Sequence, residues 1–199
     1  DNISKYLPEQ LKVIKAKNTK YIYSITKKRP FLTKKNAFTQ ETKRLKLFGK
    51  YSYEKFIPEE YLFDSIENRK FLLQGLLDTD GTTSGYHTSY CTTSHQLALD
   101  VRSLVESLGG TGKISYQPNN FYTYKGERKR GRPAYNVGVK LNFNPFKLKR
   151  KHDKYISLTK YKPIRYITAI EEIGEKECQS IKISHPVKSY LTNNYIRIS

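Results

Sequence analysis

Methionine is absent from all 199 residues, position 1 included. A chain that opens on Asp1 without an initiator is expected to be a trimmed, processed or split product with further sequence upstream. Cysteine occurs only at Cys91 and Cys178, far apart, with no CxxC partner and no paired His spacing. That excludes a zinc site and a disulfide framework and points to a reducing, intracellular compartment. The first 20 residues are polar and charged where a secretory signal needs an apolar core. Long apolar runs are missing too. The stretch 71–77 is interrupted by Gln74 and falls far short of a bilayer span. The expectation is a soluble protein with no membrane partner. Acidic residues are scarce, 18 against 37 Lys and Arg, which leaves a formal charge of +19. Such a surplus draws a polyanion through released counterions, nucleic acid first and anionic membrane second. The length suits one full domain with an appendage.

Within these bounds the chain divides by pattern. Residues 9–26 hold two alternating runs around a Lys-Asn-Thr-Lys turn and read as paired strands, the tail of a sheet. The basic segment 27–35 leads into a helix over 36–48 with Gly49 as its C-cap. A second helix starts near Asp64 or Ser65, where Asp64 and Glu67 have capping-box spacing, and runs through Asp78. A strand over 86–93 follows, and Ser94 then caps a helix over 95–108 closed by Gly109-Gly110. Strands are expected over 113–124 and 134–141, joined by a flexible basic loop at 125–132, with a last helix over 145–155. Residues 164–199 return to β-like alternation with turns at Gly174, Pro186 and Asn193-Asn194. From Asp64 the order reads α-β-α-β-β-α, followed by a β appendage.

The segment with chemical content is Leu73-Gln74-Gly75-Leu76-Leu77-Asp78-Thr79-Asp80-Gly81. Phe71, Leu72, Leu73, Leu76 and Leu77 make its helix apolar nearly all round, so it must be buried. Gly75 inside it costs about 1 kcal/mol relative to alanine and is explained where a second helix backbone comes close, with Leu72 and Leu76 beside it. Asp78 and Asp80 close the helix against Gly81, whose freedom at positive φ suits the turn. Two carboxylates at a helix C-terminus oppose the macrodipole, and a divalent cation would offset that cost. The bland alternative, solvated turn acids, is the usual fate of Asp-x-Asp-Gly. A calcium loop is excluded because Thr82, Thr83 and Ser84 do not continue the series of oxygen ligands.

These nine residues resemble the LAGLIDADG signature of homing endonucleases, departing at the second, fifth and seventh positions. The resemblance implies an α/β endonuclease half-domain with a small β-rich, intein-like C-terminal appendage. It implies metal-dependent double-strand DNA cleavage with Mg²⁺ as cofactor. Asp80 is then the ligand at the scissile phosphate with Thr79 beside it, Asp78 is the helix-end acid, and Leu72, Gly75 and Leu76 form a seam with a second half. Lys55-Phe56-Ile57-Pro58 is similar to the block that precedes the second signature helix in intein endonucleases, which makes Lys55 the active-site lysine, against an ordinary surface role in so basic a chain. The stretch 94–110 resembles the packing block that follows, so His95 reads as an exposed first-turn residue. The divisions implied are 1–35, the tail of a preceding half; 36–160, the endonuclease half; and 161–199, an intein C-terminal-like segment.

A DNA surface follows from the residues themselves. A sheet carrying the signature helix on one face exposes the other, and strands rich in Tyr, Asn, Gln and Lys suit a groove reader. Lys113, Tyr116, Gln117, Asn119, Asn120, Tyr122, Tyr124, Asn136 and Lys140 are the candidates, with Lys125, Arg128, Lys129, Arg130 and Arg132 gripping phosphate from the loop. The run Lys147, Lys149, Arg150, Lys151 and Lys154 suits either phosphate or a solvated helix face. The appendage lacks the terminal His-Asn that splicing needs and ends Ile198-Ser199. A split-intein ligation piece and a non-catalytic binder such as an intron maturase stand as the alternatives to a nuclease.

Overall fold

A computed structural model of the chain describes residues 3–19, 22–29, 36–156, 164, 166–184 and 186–198. Its contacts gather into two units, Asp1–Lys50 and Tyr51–Ser199. The expected divisions at 35/36 and 160/161 fall on or beside residues outside the described set, as do most of the basic segment 27–35 and Tyr21.

In the first unit, strands β1 (Leu11–Lys15) and β2 (Tyr23–Lys27) pair antiparallel, Leu11 opposite Lys27. Helix α1 (Ala37–Arg44) is capped by Asn36, whose side-chain oxygen Oδ1 accepts from the Phe38 and Thr39 N–H. It ends four residues before the expected stop, because Lys46 takes the left-handed conformation at φ 57°. The Lys46 N–H donates to Lys43 and the Leu47 N–H to Thr42, the paired bonds of a Schellman ending. Gly49 serves a later turn at φ 76°.

The second unit is built on a four-stranded antiparallel sheet in the order β3-β4-β8-β5: β3 (Gly81–Ser84), β4 (His87–Thr92), β8 (Ala134–Lys140) and β5 (Thr111–Gln117). Helices α3 (Ile66–Asp80) and α4 (His95–Ser107) pack on one face of it, and a short helix α2 (Glu59–Leu62) packs against both. Leu73 and Leu77 of α3 and Val101, Leu104 and Val105 of α4 are fully buried against Tyr90, Val137 and Val139 of the sheet. Serines start both long helices: Ser65 accepts from the Asn68 N–H and Ser94 from the Leu97 N–H. Asp64 instead supports the cap from outside, accepting from the Ser65 N–H and the Asn68 side-chain amide.

Several sequence expectations are corrected. The order from α3 is α-β-β-α-β-β-β-β-α, because Gly81–Ser84 forms a strand that the reading α-β-α-β-β-α passed over. It folds back through Gly85, at φ 66°, into a two-residue turn of the kind that demands glycine first. The basic loop is a regular ribbon: β6 (Phe121–Tyr124) pairs with β7 (Glu127–Arg130) across Lys125 and Gly126, both at positive φ. The last helix, α5, shrinks to Lys149–His152, since the Lys147 and Leu148 N–H groups turn onto the Asp78 carboxylate and Leu148 stays extended. The described residues between 164 and 198 hold the pair β9 (Tyr190–Leu191) and β10 (Arg197–Ile198) with a short 3-10 turn at Asn193–Tyr195, in place of a longer run of strands. The Tyr195 hydroxyl meets Ser103 on α4 at 3.4 Å.

The two glycines of the signature segment carry different constraints. Gly81 sits at φ −81°, extended, so it needs no positive φ. Its reason is space, because a Cβ there would lie 2.5 Å from the Leu77 carbonyl oxygen and 2.7 Å from its Cα. A Cβ on Gly75 would meet nothing within 4 Å. Nor is α3 enclosed all round: Phe71 is 47% exposed, and Leu72 and Leu76 are half-buried. Gly81→Ala is therefore expected to destabilise this chain by about 1–3 kcal/mol, and Gly75→Ala to stabilise it by about 1 kcal/mol. Urea denaturation of both variants measures the contrast.

Candidate functional site

The last turn of α3 delivers three oxygen-bearing side chains in three directions. The Asp78 carboxylate accepts from the Lys147 and Leu148 N–H at 3.1–3.2 Å and ties the loop before α5 to the helix. The Thr79 hydroxyl donates back to Leu76 at 2.9 Å and to Gly75 at 3.1 Å. Asp80 is exposed and accepts no hydrogen bond from a described residue. It lines a groove of about 330 Å³ with Thr79, Gly81, Thr82, Thr83, Arg150, Lys151 and Lys154. One carboxylate thus faces a space bordered by threonines and three cationic residues.

Lys151 is the buried member of that set, 7% exposed. Its Nζ donates to the carbonyl oxygens of Leu77 at 2.8 Å, Asp78 at 2.7 Å and Gly81 at 2.6 Å, with Thr79 at 3.4 Å. Burial, and then the like charge of Arg150, lower the ammonium pKa below the usual lysine value, while Asp78 and Asp80 oppose that shift. The negative end of the α3 dipole is met here by a lysine of the same chain. Sequence reading saw Arg150, Lys151 and Lys154 only as a basic run, and nothing local distinguished the member that turns inward.

Lys55 is exposed and is not among the residues lining the groove. Its backbone is held from two sides: its carbonyl accepts from Ser94 Oγ at 2.6 Å, and two residues on the Ile57 N–H donates to the buried Asp100 carboxylate at 2.8 Å. The N-cap serine of α4 thereby fastens the Lys55-Ile57 segment as well as its own helix. The His95 ring is exposed and stacks 4.9 Å from Tyr135.

Register and burial sort the sheet into two faces. Thr88, Tyr90, Val137 and Val139 point to the helices, so Ser89, Cys91, Asn136 and Lys140 point away, in line with Lys113, Ser115 and Gln117 on β5 and Thr82 on β3. The Thr82 and Ser89 hydroxyls, 3.0 Å apart, mark this outer face. Lys113, Gln117, Asn136 and Lys140 thus share one surface, whereas Tyr116 faces the helix side and stacks on Tyr135 at 5.3 Å. Thr82, Ser89, Cys91 and Ser115 belong to the same outer surface and were missed, for lack of the register. Burial and then the nearby Asp80 charge raise the Cys91 thiol above its usual range, and the same two causes lead in pushing Tyr90 up to about 12. Asp80 therefore acts electrostatically on the C-terminal half of β4.

The β6–β7 ribbon carries exposed aromatics with cations laid over them. Arg128 lies 4.3 Å from the Phe121 ring centre, and Lys125 and Lys129 lie 5.5 and 5.3 Å from that of Tyr124. Tyr122 is exposed opposite Lys129, Arg130 donates to the Asn119 side chain at 3.4 Å, and Arg132 stacks 3.9 Å above Tyr53. The Gly131 N–H closes the base of the ribbon on the Asn120 carbonyl.

Among the described residues no group of three or more His, Cys, Asp or Glu is gathered to hold a metal, and no helix is long and apolar enough to cross a membrane. Mg²⁺ needs no such cage, since one or two carboxylates suffice when water and phosphate oxygens fill the octahedron. The exposed Asp80 carboxylate, accepting no hydrogen bond from the described residues, fits that requirement as one contribution.

Residues 67–140 match the model of a family described as LAGLIDADG-like domain, a span from the first turn of α3 to the last residue of β8. The chain is also similar to two proteins named replicative DNA helicase DnaB. The one from Mycobacterium intracellulare is 38% identical over 98 residues, covering 49% of this chain and 16% of the relative. The one from Synechocystis sp. is 32% identical over 113 residues, covering 53% and 12%. The chain thus spans less than a fifth of the length of these relatives.

The contacts separate the two aspartates experimentally. Asp78→Ala strands two amide donors and is expected to lower stability by about 1–3 kcal/mol. Asp80→Asn touches no such contact and should stay within about 0.5 kcal/mol of the parent. Equilibrium urea unfolding of both variants checks the difference.

Proposed function

We propose that this chain is one half of a metal-dependent, sequence-specific double-strand DNA endonuclease of the homing type, carried within a larger protein. The observation that carries the reading is the Asp80 groove: an exposed carboxylate at the end of the helix that begins the LAGLIDADG-like span, beside a polar and basic sheet face. In this reading Asp80, with Thr79, holds Mg²⁺, which would supply an activated water and charge stabilisation at the phosphate. Lys55 is given the part of the active-site lysine, acting on the phosphate from outside the groove lining, and Asp78 that of the helix-end acid, its carboxylate holding the Lys147 and Leu148 amides. Lys113, Gln117, Asn136 and Lys140 read the groove, joined by Thr82, Ser89 and Ser115. The ribbon residues Tyr122, Tyr124, Lys125, Arg128, Lys129, Arg130 and Arg132, with Asn119, grip the backbone at its flank, and Tyr116 supports them from the sheet edge. The seam of Gly75 with half-buried Leu72 and Leu76 receives a second signature helix, from upstream sequence, a partner chain or a second copy.

The matched relatives are named as replicative helicases, and the alignments cover small fractions of them. An element inserted in a helicase would match in this way, so residues 161–199 are read as the intein-type segment after the nuclease half and 1–35 as the tail of the preceding one. An intracellular compartment that holds DNA follows from the partner.

Two measurements test this. Asp80→Asn should reduce cleavage of a target duplex in Mg²⁺ by about a hundredfold or more while leaving duplex affinity nearly unchanged. Undiminished cutting would refute the role given to Asp80, and a parent affinity that is flat with salt would remove the DNA partner. Maleimide footprinting gives the second. Bound duplex should protect Cys91, on the outer sheet face, and leave Cys178 reactive. Equal labelling of Cys91 with and without duplex would place the interface elsewhere.

A further inference from the structure

We infer that Lys151 is a positioning residue, a buried ammonium clip that fixes the corner between α3 and β3 and so sets the direction of Asp80. The function given to Asp80 above is the premise for the second half of that statement. The geometry is specific. An ammonium has three donors, and the three shortest contacts of Lys151 reach the carbonyl oxygens of Leu77 and Asp78 on the last turn of α3 and of Gly81 on the first residue of β3. One cation therefore bridges the two elements across their junction, where Asp80 is the last residue of α3. The Gly81 N–H already closes on the Leu77 carbonyl, and the lack of a Cβ at Gly81 lets the corner be this tight.

The other cations nearby do not share this role. Arg150 and Lys154 line the groove but are exposed, and Lys149 is exposed and outside it. Asp78 completes the corner from the opposite side, holding the amides of Lys147 and Leu148, so that α5 starts with Lys151 facing inward. Because the ammonium occupies these carbonyl oxygens, the contribution of this half to a metal ion falls on the Asp80 carboxylate rather than on the backbone cage at the helix end.

The test compares Lys151→Met with Lys149→Met in the full chain, by amide hydrogen exchange and by Mn²⁺-induced NMR line broadening at Asp80. Expected for Lys151→Met is unchanged protection in α4, exchange at Asp80, Gly81 and Thr82 faster by about tenfold or more, and loss of the broadening at Asp80. Lys149→Met should leave all three as in the parent, and Lys151→Arg should restore part of the protection. Parent-like exchange at the corner in Lys151→Met overturns the clip, and faster exchange with the broadening retained overturns its effect on Asp80. Should Lys151→Met fail to fold, Lys151→Gln is read at the same amides against the same outcomes. Absence of broadening in the parent counts against the metal reading of Asp80 alone, and the exchange arm still decides the clip.

Discussion

The C-terminal end of α3 collects more negative potential than a helix end ordinarily carries: unsatisfied carbonyls, the macrodipole, and two aspartates within three residues. The fold answers with a chain segment 70 residues downstream. Lys151 takes the carbonyls of Leu77, Asp78 and Gly81, and the amides of Lys147 and Leu148 take Asp78. The remainder of the sheet depends on this junction, since β3 leaves it directly, β4 pairs on β3, and β8 pairs on β4. Leu77, buried and in contact range of where a Gly81 side chain would be, joins the same corner to the core. A neutral corner would also serve the sheet. What this arrangement adds is that one of the two acids stays exposed and accepts no hydrogen bond from the described residues.

Much of the fold was legible because its punctuation is local. Ser94 caps α4 as its position before an apolar 3.6-residue pattern implies, and Gly109 ends it at φ 78°. Ser65 was in view for α3, though its neighbour Asp64 competed for the role. The misses are of another kind. β3 is four residues long and contains little but Thr and Ser, so no apolar alternation announces it; only Gly85 followed by a bulky residue signalled the turn. The ribbon at 121–130 was hidden by its charge, because Glu-Arg-Lys-Arg reads as a solvated loop until Lys125-Gly126 is recognised as a hairpin turn. The shortened α5 and the inward Lys151 depend on contacts with α3, and such long-range bonds override local propensity.

The site shows the same split between types and roles. Which residue types face the outer sheet surface followed from composition, but which member of each strand does so follows only from register, where a shift of one residue exchanges faces. Tyr116 illustrates the point: it lies between Ser115 and Gln117, on the face opposite to both, and stacks with Tyr135 and through it His95. Asp78 and Asp80 are two residues apart on a helix, so they cannot share one direction. One was bound to meet the protein and the other the solvent, and the geometry, not the sequence, decides which.

Gly75 raises the remaining question of why α3 leaves one flank open. A glycine at mid-helix costs stability and is justified when a neighbouring backbone needs the space, yet among the described residues nothing lies within 4 Å of where a Cβ would be. Around it lie half-buried Leu72 and Leu76 and exposed Thr79, a small-and-apolar stripe that the four-stranded sheet cannot reach because it covers the opposite side of the helix. The stripe runs up to Asp80. Any helix that packed on it in parallel would bring its own C-terminal end beside the groove, and a second carboxylate placed there would meet the Asp80 charge among Arg150, Lys151 and Lys154 of the groove lining, with the Lys151 ammonium held on the backbone carbonyls. Two such acids at close range repel unless a cation lies between them. The open flank and the lone acid are therefore connected: closing the first creates the electrostatic conditions under which the second would recruit a divalent ion.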